Sequence, residues 1–369
     1  MSRTTQSPPA PTPAPLTVDL DLRRGDFDLR ATLELAPGTV TAVLGPNGSG
    51  KSTLLLALAG LIRLTSGTIQ AARPWSDPAR GIHLPTQDRQ VGLVLADPLL
   101  FPHLSLLDNV AFGPRSRGAS AAVARDRARS ELERVGLSDL AHRKPEAIST
   151  GQAQRAALAR ALATDPELLL LDEPLSALDP HTRSQTRADL HHRLREFGGA
   201  TVIVTHDPVD ALTLADRLVF LEAGRVVQVD TPAAAIARPR SPYVARIVGL
   251  NLLAGRVRID GQVVVDLAAG VLVTAEAPTD VVAGSKVWAT IDPAAVALYP
   301  TRAEGSPRNV WPVTVREVTI AGQRARVGLD GPVPLVAEVT TAAVAELRLV
   351  VGREVYAGAK ATEVTIYPA

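Results

Sequence analysis

The hydrophobic pattern of the first 240 residues alternates between strand-like and helix-like stretches. Residues 17–22 and 27–35 alternate polar and apolar positions around a polar turn, which predicts a β-hairpin. Apolar runs at residues 168–171 and 201–205 predict strands that are buried on both faces, and residues 39–44 form a further strand-like run. Helix-like stretches separate these runs. The pattern therefore predicts an α/β fold with a mostly parallel sheet and right-handed crossovers.

Further elements fit the same alternation. Strand patterns also occupy residues 67–72, 91–95 and 217–222, and helical spacing occupies residues 54–61, 120–135 and 152–164. The second of these helices carries several arginines beside two glutamates, which is typical of a solvated face. We expect the stretch from about 97 to 163 to form a helical subdomain within a domain that spans residues 17–240.

The amino-acid composition changes after residue 240, where Val, Gly and Ala dominate and long helical patterns stop. This change predicts a second, all-β domain over residues 243–369. Within it, residues 284–300 align without gaps on residues 352–368, and the two copies span about 249–300 and 305–369. Two related β units of this size predict a pair of small, OB-like barrels packed together.

Composition narrows the possible functions. The chain has 39 basic and 38 acidic residues and a net charge of +1. It therefore lacks the overall positive charge that would attract nucleic acid. It has no cysteine, so disulfides and thiolate metal sites are excluded. No apolar run is long enough to span a membrane, so a membrane role requires docking on a partner. Residues 1–16, rich in Pro, Ser and Thr, are predicted to be a disordered tail.

A phosphate-binding loop lies between the strand at 39–44 and the helix at 54–61. Glycines in this loop let successive backbone N–H groups converge on one anion, and the helix adds the positive end of its dipole. Lys51 is expected to reach the β- and γ-phosphates, and Ser52 is expected to bind Mg²⁺. The loop consists of Gly45, Pro46, Asn47, Gly48, Ser49, Gly50, Lys51, Ser52 and Thr53.

Acidic and basic groups follow two of the predicted buried strands. Asp172 and Glu173 end the four-leucine strand, and His206 ends the next one. A parallel sheet presents such residues at its carboxyl edge, beside the phosphate loop. Asp172 is expected beside Mg²⁺, Glu173 as the base that activates water, and His206 facing the γ-phosphate.

A second anion-binding turn precedes the helix at 152–164. Its residues are Ser149, Thr150, Gly151 and Gln152. A hydroxyl and backbone N–H groups at a helix start suit a phosphate. Because one loop already fills the local phosphate site, this second turn predicts that a second subunit's nucleotide is completed here.

Together these motifs resemble the ATP-binding-cassette ATPase family over residues 17–240. The resemblance rests on the phosphate loop, the Ser-x-Gly-Gln turn, the run from Leu168 to Glu173, the segment from Ser176 to Asp179, and His206. It implies a head-to-tail homodimer that sandwiches two ATP molecules with Mg²⁺, with Asp179 at the partner's nucleotide. It also implies docking of a membrane permease on residues 97–113, at the cytoplasmic face of the membrane.

Two positions depart from the family pattern. A glutamine that contacts Mg²⁺ and water is replaced by Ala96, and the first glycine of the second turn is replaced by Thr150. Loss of one positioning contact predicts slow but real ATP hydrolysis. Phe27 and Arg24 are the two candidates for stacking on adenine.

The last hundred residues are similar to the molybdate-binding module of molybdate importer ATPases. This similarity implies uptake of molybdate or tungstate through a permease with an external oxyanion-binding protein. It leaves two roles open for the module, which either binds molybdate to inhibit transport or serves only as a dimerisation surface. Hydroxyl, cationic and backbone groups suit an oxyanion, and the residues that match are Ser306, Arg308, Asn309, Thr340, Lys360, Ala361 and Thr362. In the first copy Asp292 stands where Lys360 does in the second, so that copy is expected to be scaffold.

Two other functions remain open on the sequence alone. An importer of sulfate or another solute would share the ATPase domain and the β architecture. An oxyanion-sensing protein with a weakened ATPase is compatible with Ala96 and Thr150. An ATPase of the same family that acts on DNA would need a coiled coil or a basic surface, and the sequence contains neither.

Overall fold

The computed structural model describes residues 14–176, 178–260 and 262–369. The chain divides into two compact units, with the division between Pro232 and Ala233. The sequence placed this boundary near residue 240. The predicted disordered tail, residues 1–16, lies almost entirely outside the described residues. Within the described ranges, no helix is both long and apolar enough to cross a membrane.

The first unit is an α/β structure, as the sequence predicted. Its strands are β1 (Leu16–Arg24), β2 (Phe27–Leu35), β3 (Val40–Leu44), β4 (Ser66–Gln70), β5 (Pro74–Asp77), β6 (Ile82–His83), β7 (Val91–Val94), β8 (Leu168–Asp172), β9 (Ala200–Val204), β10 (Arg217–Glu222) and β11 (Arg225–Asp230). Its helices are α1 (Lys51–Ala59), α2 (Leu106–Ser116), α3 (Ala121–Arg134), α4 (Thr150–Leu162), α5 (Pro180–Glu196) and α6 (Pro208–Leu214).

One mixed sheet runs through this unit in the order β6-β5-β4-β1-β2-β11-β10-β3-β9-β8-β7. The five strands from β10 to β7 are parallel to their neighbours. The predicted hairpin β1–β2 is antiparallel and continues through β4, β5 and β6. The parallel half has the carboxyl edge on which the site is built, because the loops after β3, β8 and β9 all leave it there.

Helices α2, α3 and α4 pack around a hydrophobic core of their own. The sequence treated residues 97–113 as one packing segment, but its second half is the start of helix α2. The Ser105 hydroxyl caps this helix by accepting from Asp108 N at 3.1 Å. The buried Asn109 amide binds the backbone N–H and C=O of Phe101, which fixes the preceding loop.

The far end of α1 is anchored by a buried arginine. Arg89 is fully buried, and its Nη1 donates to the carbonyl oxygens of Ala57 and Leu58 at 2.9 and 2.7 Å. Burial lowers the pKa of Arg89 to about 10. A cation at a helix C-terminus stabilises the last carbonyls, so this contact holds the helix whose other end forms the phosphate loop.

The second unit is built from short strands. Helices α7 (Pro232–Ala237) and α8 (Pro242–Val248) lead into β12 (Asn251–Ile259), β13 (Val263–Leu267), β14 (Gly270–Thr274), β15 (Lys286–Ile291), β16 (Ala297–Tyr299), β17 (Asn309–Ala321), β18 (Arg324–Asp330), β19 (Leu335–Thr340), α9 (Thr341–Glu346), β20 (Glu354–Ala359) and β21 (Val364–Pro368).

The two sequence repeats exchange their last strands. One sheet has the order β14-β13-β12-β15-β21 and the other has the order β16-β20-β17-β18-β19. The aligned stretches form equivalent elements, since β15 matches β20 in position and β16 matches part of β21. Each repeat therefore completes the sheet of the other, a detail of the packed pair that the sequence did not predict.

A pair of buried asparagines repeats the same symmetry. Asn251 binds the backbone N–H and C=O of Val336 at 2.7 and 2.9 Å. Asn309 binds the backbone N–H and C=O of Val273 at 2.7 and 2.9 Å. Each asparagine opens one repeat and fastens it to the other, so these two side chains join the exchanged halves.

Candidate functional site

The loop from Gly45 to Thr53 has the backbone geometry of an anion cradle. A Cβ at Gly45 would lie 2.1 Å from the carbonyl oxygen of Leu221, so the loop can follow this path only with glycine there. Gly50 precedes α1 at φ 105° and supplies no side-chain cap. The first-turn N–H groups of α1 have no intrahelical acceptor and remain open to a phosphate.

Polar side chains in the loop support this interpretation. Lys51 is buried, and its Nζ donates to the carbonyl oxygens of Gly45 and Pro46 at 2.7 and 2.9 Å. The pKa of Lys51 is lowered, because the effect of burial outweighs the opposing effect of the nearby charges of Glu173 and Asp172. The hydroxyl of Ser49 is buried with no hydrogen-bond partner. An ammonium group and an orphaned hydroxyl in one cradle suit a phosphate ligand.

Two carboxylates lie at the carboxyl edge beside this loop. Asp172 ends β8. Burial raises the pKa of Asp172, and the charge of Glu173 raises it further, whereas the nearby Ser52 side chain opposes this rise in the pKa. Mg²⁺ prefers one or two carboxylates together with phosphate oxygens and water. The donor set of Ser52 and Asp172 therefore fits a Mg²⁺ ion that is shared with a bound nucleotide.

Glu173 and His206 are brought together by neighbouring strands. β8 and β9 are parallel neighbours, and each of the two residues follows its strand. His206 Nδ1 lies 3.0 Å from Glu173 Oε1. Glu173 adopts φ 48°, an uncommon conformation for a residue with a side chain. Such strain is often concentrated at functional sites, and here it sets the direction of the carboxylate.

The turn before α4 forms a capping box. The Ser149 hydroxyl accepts from Gln152 N at 3.3 Å, and the Gln152 side chain accepts from Ser149 N at 2.9 Å. Ser149 and Thr150 are exposed, whereas Gly151 is buried. A Cβ at Gly151 would lie 3.1 Å from Leu178 Cδ2. Among the described residues, no hydrogen bond joins this turn to the phosphate loop of the same chain.

The segment after Glu173 connects the end of β8 to α5. The Ser176 hydroxyl donates to the carbonyl oxygen of Glu173 at 2.9 Å. Asp179 is exposed, and its Oδ1 accepts from Thr182 N at 3.1 Å at the start of α5. Ala177 lies outside the described residues. The segment therefore leaves the site as a turn fixed at both ends.

Two positions singled out in the sequence have a definite setting. Ala96 is exposed just after β7. Its methyl side chain offers no polar group to the site. Phe27 lies beneath the phosphate loop, since a Cβ at Gly50 would be 2.9 Å from its ring. Phe27 also packs against the core of the sheet. These contacts show that Phe27 supports the loop, and stacking of Phe27 or Arg24 on adenine stays a prediction.

An apolar surface lies on the segment 97–113. Leu99 is 56% exposed at φ 47°, and Phe112 is 48% exposed. Phe101 packs on Phe112 with ring centroids 4.7 Å apart. Arg160 lies 5.6 Å over Phe101 and donates to the carbonyl oxygen of Leu99 at 2.8 Å. The arginine thus holds Leu99 outward in a strained conformation.

The structure separates Thr340 from the other residues predicted to bind an oxyanion. Thr340 pairs with Arg324 at the hairpin end of β17, where its hydroxyl caps α9. Lys360 follows Ala359, which pairs with Asn309 at the opposite end of β17. The buried side-chain amide of Asn309 is already hydrogen-bonded to the backbone of Val273.

Lys360 lines a cleft of about 430 Å³ with Asp292 and Glu363. Strand exchange places Asp292 here, so it does not belong to a separate scaffold copy. Ser306 and Arg308 flank this cleft at Pro307, and Thr362 is exposed nearby in sequence. Two carboxylates against one ammonium in the lining oppose the binding of an anion.

A second cleft in the same unit is lined by cationic groups. Arg246, Arg316 and Arg326 line a space of about 390 Å³ together with Glu317 and Thr319. Arg316 pairs with Asp330 and Glu317 at 3.0 and 3.3 Å. Among the described residues, neither Arg246 nor Arg326 forms an ion pair. Arg246 lies over the ring of Tyr243, and Arg326 donates to the carbonyl oxygen of Gly249 at 3.4 Å. Sequence reasoning missed this arginine cleft, because its residues come from three separate elements.

Comparison with known proteins places these features in context. Residues 29–176 match the family described as ABC transporter, and residues 305–366 match the TOBE domain. The molybdenum import ATP-binding protein ModC of Mycobacterium tuberculosis (strain ATCC 25618 / H37Rv) is 42% identical over 361 residues, which cover 95% of this chain and 97% of that protein.

Other importer ATPases are similar over shorter stretches. The sn-glycerol-3-phosphate import ATP-binding protein UgpC of Salmonella typhi is 37% identical, covering 79% of this chain and 80% of that protein. The sulfate/thiosulfate import ATP-binding protein CysA of Vibrio cholerae serotype O1 is 44% identical, covering 63% and 62%. Among solved structures, cbiO1 of Clostridium perfringens, part of the ABC transporter complex cbiONQ, gives a TM-score of 0.54 at 30% identity, covering 60% of this chain and 90% of that chain.

We predict that Asp172→Asn stabilises the protein without nucleotide while it impairs turnover. The raised pKa of Asp172 means that the native state binds this proton more tightly than the unfolded state does. Stability is therefore lost as pH rises through the native pKa, and Asn removes that loss at pH 7. Urea unfolding should show a higher free energy of unfolding, and the ATP hydrolysis rate should fall about a hundredfold or more.

The control is Asp216→Asn. Asp216 accepts from Val40 N at 2.9 Å and pairs with Arg195 at 2.8 Å, far along the sequence from the loop. This variant should lower stability at pH 7. Equal destabilisation by both variants would contradict the electrostatic interpretation of Asp172.

Proposed function

The chain belongs to the ATP-binding proteins of ABC transporters, which couple ATP hydrolysis to transport, and from this premise we propose that it energises molybdate uptake. Tungstate, an oxyanion of similar size and charge, is included in the proposal. Uptake passes through a separate membrane permease. The chain acts there as one of two identical subunits.

The observation that carries the proposal is the extent of the similarity. The similarity to the molybdenum import protein runs through both units, from the phosphate loop to the exchanged β strands. The similarity to the sulfate/thiosulfate protein covers 63% of this chain. Because the ATPase domain is common to importers of many solutes, similarity that includes the C-terminal unit favours molybdate over sulfate.

The site residues are assigned roles on their chemistry. Lys51 and the loop N–H groups bind the ATP phosphates, and Ser52 with Asp172 holds Mg²⁺. Mg²⁺ supplies charge neutralisation at the phosphates when it is bound. Glu173 accepts the proton of the attacking water, and His206 holds that carboxylate in place and faces the γ-phosphate.

A second copy completes each site. Ser149 is exposed on a turn of the helical region, where the buried Gly151 follows it closely, and Asp179 is exposed at the start of α5. We place these groups against the ATP held by the other copy's phosphate loop in a head-to-tail homodimer. The dimeric structure of MJ0796, a bacterial ABC transporter cassette, is similar to this chain at a TM-score of 0.50 and 29% identity, covering 59% of this chain and 98% of that chain.

The permease docks on the apolar surface formed by Leu99 and Phe112. Exposed apolar side chains that are held outward in this way are typical of an interaction site. This docking places the chain at the cytoplasmic face of the membrane as a peripheral subunit. An oxyanion-binding protein on the other side of the membrane delivers the substrate to the permease.

Regulation by oxyanion is a second proposed activity, and the arginine cleft favours it. Guanidinium groups without a carboxylate partner suit a small oxyanion. Arg246 and Arg326 meet this condition, whereas Lys360 shares its cleft with two carboxylates. We therefore place the regulatory molybdate in the arginine cleft.

The transport function is tested with the assembled transporter. Its ATP hydrolysis is measured in proteoliposomes with the binding protein, while molybdate, tungstate and sulfate are titrated separately. We expect molybdate and tungstate to stimulate hydrolysis and sulfate to have no effect at the same concentrations. Stimulation by sulfate alone would show that the substrate assignment is wrong.

The missing glutamine is tested by Ala96→Gln. The restored amide can position water, so we expect the turnover number of the transporter to rise about tenfold or more. Ala96→Met is the matched control, because it has similar length and no amide. An equal rate for all three proteins would contradict the proposal that Ala96 slows hydrolysis.

The regulatory site is tested by calorimetry on the full chain. We expect Arg326→Gln to weaken molybdate binding about tenfold or more, since one charge-assisted contact is lost. Lys360→Gln is the control and should leave the dissociation constant within twofold. Loss of binding in the Lys360 variant alone would overturn the placement in the arginine cleft.

A further inference from the structure

One arginine on α5 reaches two segments that leave the sheet at different strands. Arg183 Nη1 donates to Asp207 Oδ2 at 2.9 Å. Its Nη2 donates to the carbonyl oxygens of Ser176 and Leu178 at 3.1 and 3.5 Å. The Arg183 side chain is 24% exposed. A single guanidinium group thus connects the segment after β8 to the segment after β9.

These contacts close a ring around the hydrolytic pair. His206 lies against Glu173 at 3.0 Å, and the next residue, Asp207, lies against Arg183. Arg183 binds the carbonyl of Ser176, whose hydroxyl returns to the carbonyl of Glu173 at 2.9 Å. Every step of the ring is a neighbour in the chain or a contact of 3.1 Å or less.

We propose that Arg183 is a positioning residue for ATP hydrolysis, because it fixes the 176–179 segment and the 206–207 segment in one arrangement. It acts through Glu173 and His206 and does not touch the nucleotide. The inference rests on the proposed roles of those two residues.

Both segments need an external support. Glu173 is at φ 48°, so its backbone favours relaxation to another conformation. The His206 side chain is 57% exposed, so packing does little to fix it. Asp207 already caps α6 through Oδ1, which leaves Oδ2 for Arg183. Without the guanidinium group, only the direct contact between Glu173 and His206 keeps these two side chains aligned.

The geometry also requires arginine rather than any cation. The planar guanidinium fixes the angle between its two Nη groups, so that Nη1 donates to the Asp207 carboxylate while Nη2 donates to the carbonyl groups of the other segment. A lysine has one ammonium group, and it cannot hold both segments in this geometry. Charge alone therefore does not replace the bridge.

The test compares ATP hydrolysis by the full chain with Arg183→Gln and Arg183→Lys. Misplacement of a catalytic group by about 1 Å can cost about a hundredfold in rate. We expect kcat to fall about ten- to a hundredfold in both variants. The KM for ATP, and the ATP dissociation constant measured by calorimetry, should stay within twofold, because the phosphate loop is untouched.

Arg187→Gln is the matched control. Arg187 lies one turn further along α5 and pairs with Asp210 at 2.6 Å. Among the described residues it forms no hydrogen bond or ion pair with the segments 173–179 and 206–207. This variant should lose a similar amount of thermal stability and keep kcat within twofold. A second comparison uses Asp207→Asn, which keeps the cap of α6 and removes the charge. The double variant with Arg183→Gln should be no slower than the slower single variant.

The possible failures are distinguishable. If Glu173→Gln leaves hydrolysis unchanged, the proposed role of Glu173 is wrong and this inference fails with it. If Glu173→Gln abolishes hydrolysis while Arg183→Gln retains the wild-type kcat, the inference alone is overturned. Additive losses in the double variant, or an equal loss of kcat in Arg187→Gln, would also overturn it, because Arg183 would then contribute only general stability.

Discussion

The site depends on backbone N–H groups that the fold leaves without acceptors at the start of α1. Gly45 allows the loop to pass the carbonyl of Leu221, and Gly50 turns it into the helix at φ 105° without capping it. Phe27 supports the loop from below. An uncapped helix start beside a buried lysine is costly unless an anion is bound. The free protein is therefore arranged to bind phosphate, and the other groups of the site are placed around that cradle.

The parallel half of the sheet supplies those other groups, and we propose that a second copy of the chain completes the site. β8 and β9 deliver Glu173 and His206 side by side, and the ring through Arg183 fixes their direction. Ser149 instead lies on the helical region, which has its own core. A site divided between two packed regions can be opened and closed by the approach of a second copy. Binding of ATP and assembly of the dimer are thus one process in this account.

Sequence reasoning reached the features that depend on local pattern. The four leucines before Asp172 identified a buried strand, and glycine spacing identified the phosphate loop. It missed α5, whose polar residues carry little hydrophobic periodicity, and the helix that starts at Leu106. It also could not foresee the exchange of β16 and β21, because strand pairing is a long-range choice between two similar partners. That exchange brings Asp292 to Lys360 and changes the interpretation of the oxyanion residues.

The most direct test of the account uses the absence of cysteine in the chain. A variant with Ser149→Cys, Asn47→Cys and Glu173→Gln is treated with a mild oxidant, with and without MgATP. Because each Ser149 turn is placed at the other copy's phosphate loop, the account predicts a disulfide-linked dimer that forms efficiently only with MgATP. A chain that remains monomeric with MgATP, or that cross-links equally without it, would contradict the shared nucleotide site.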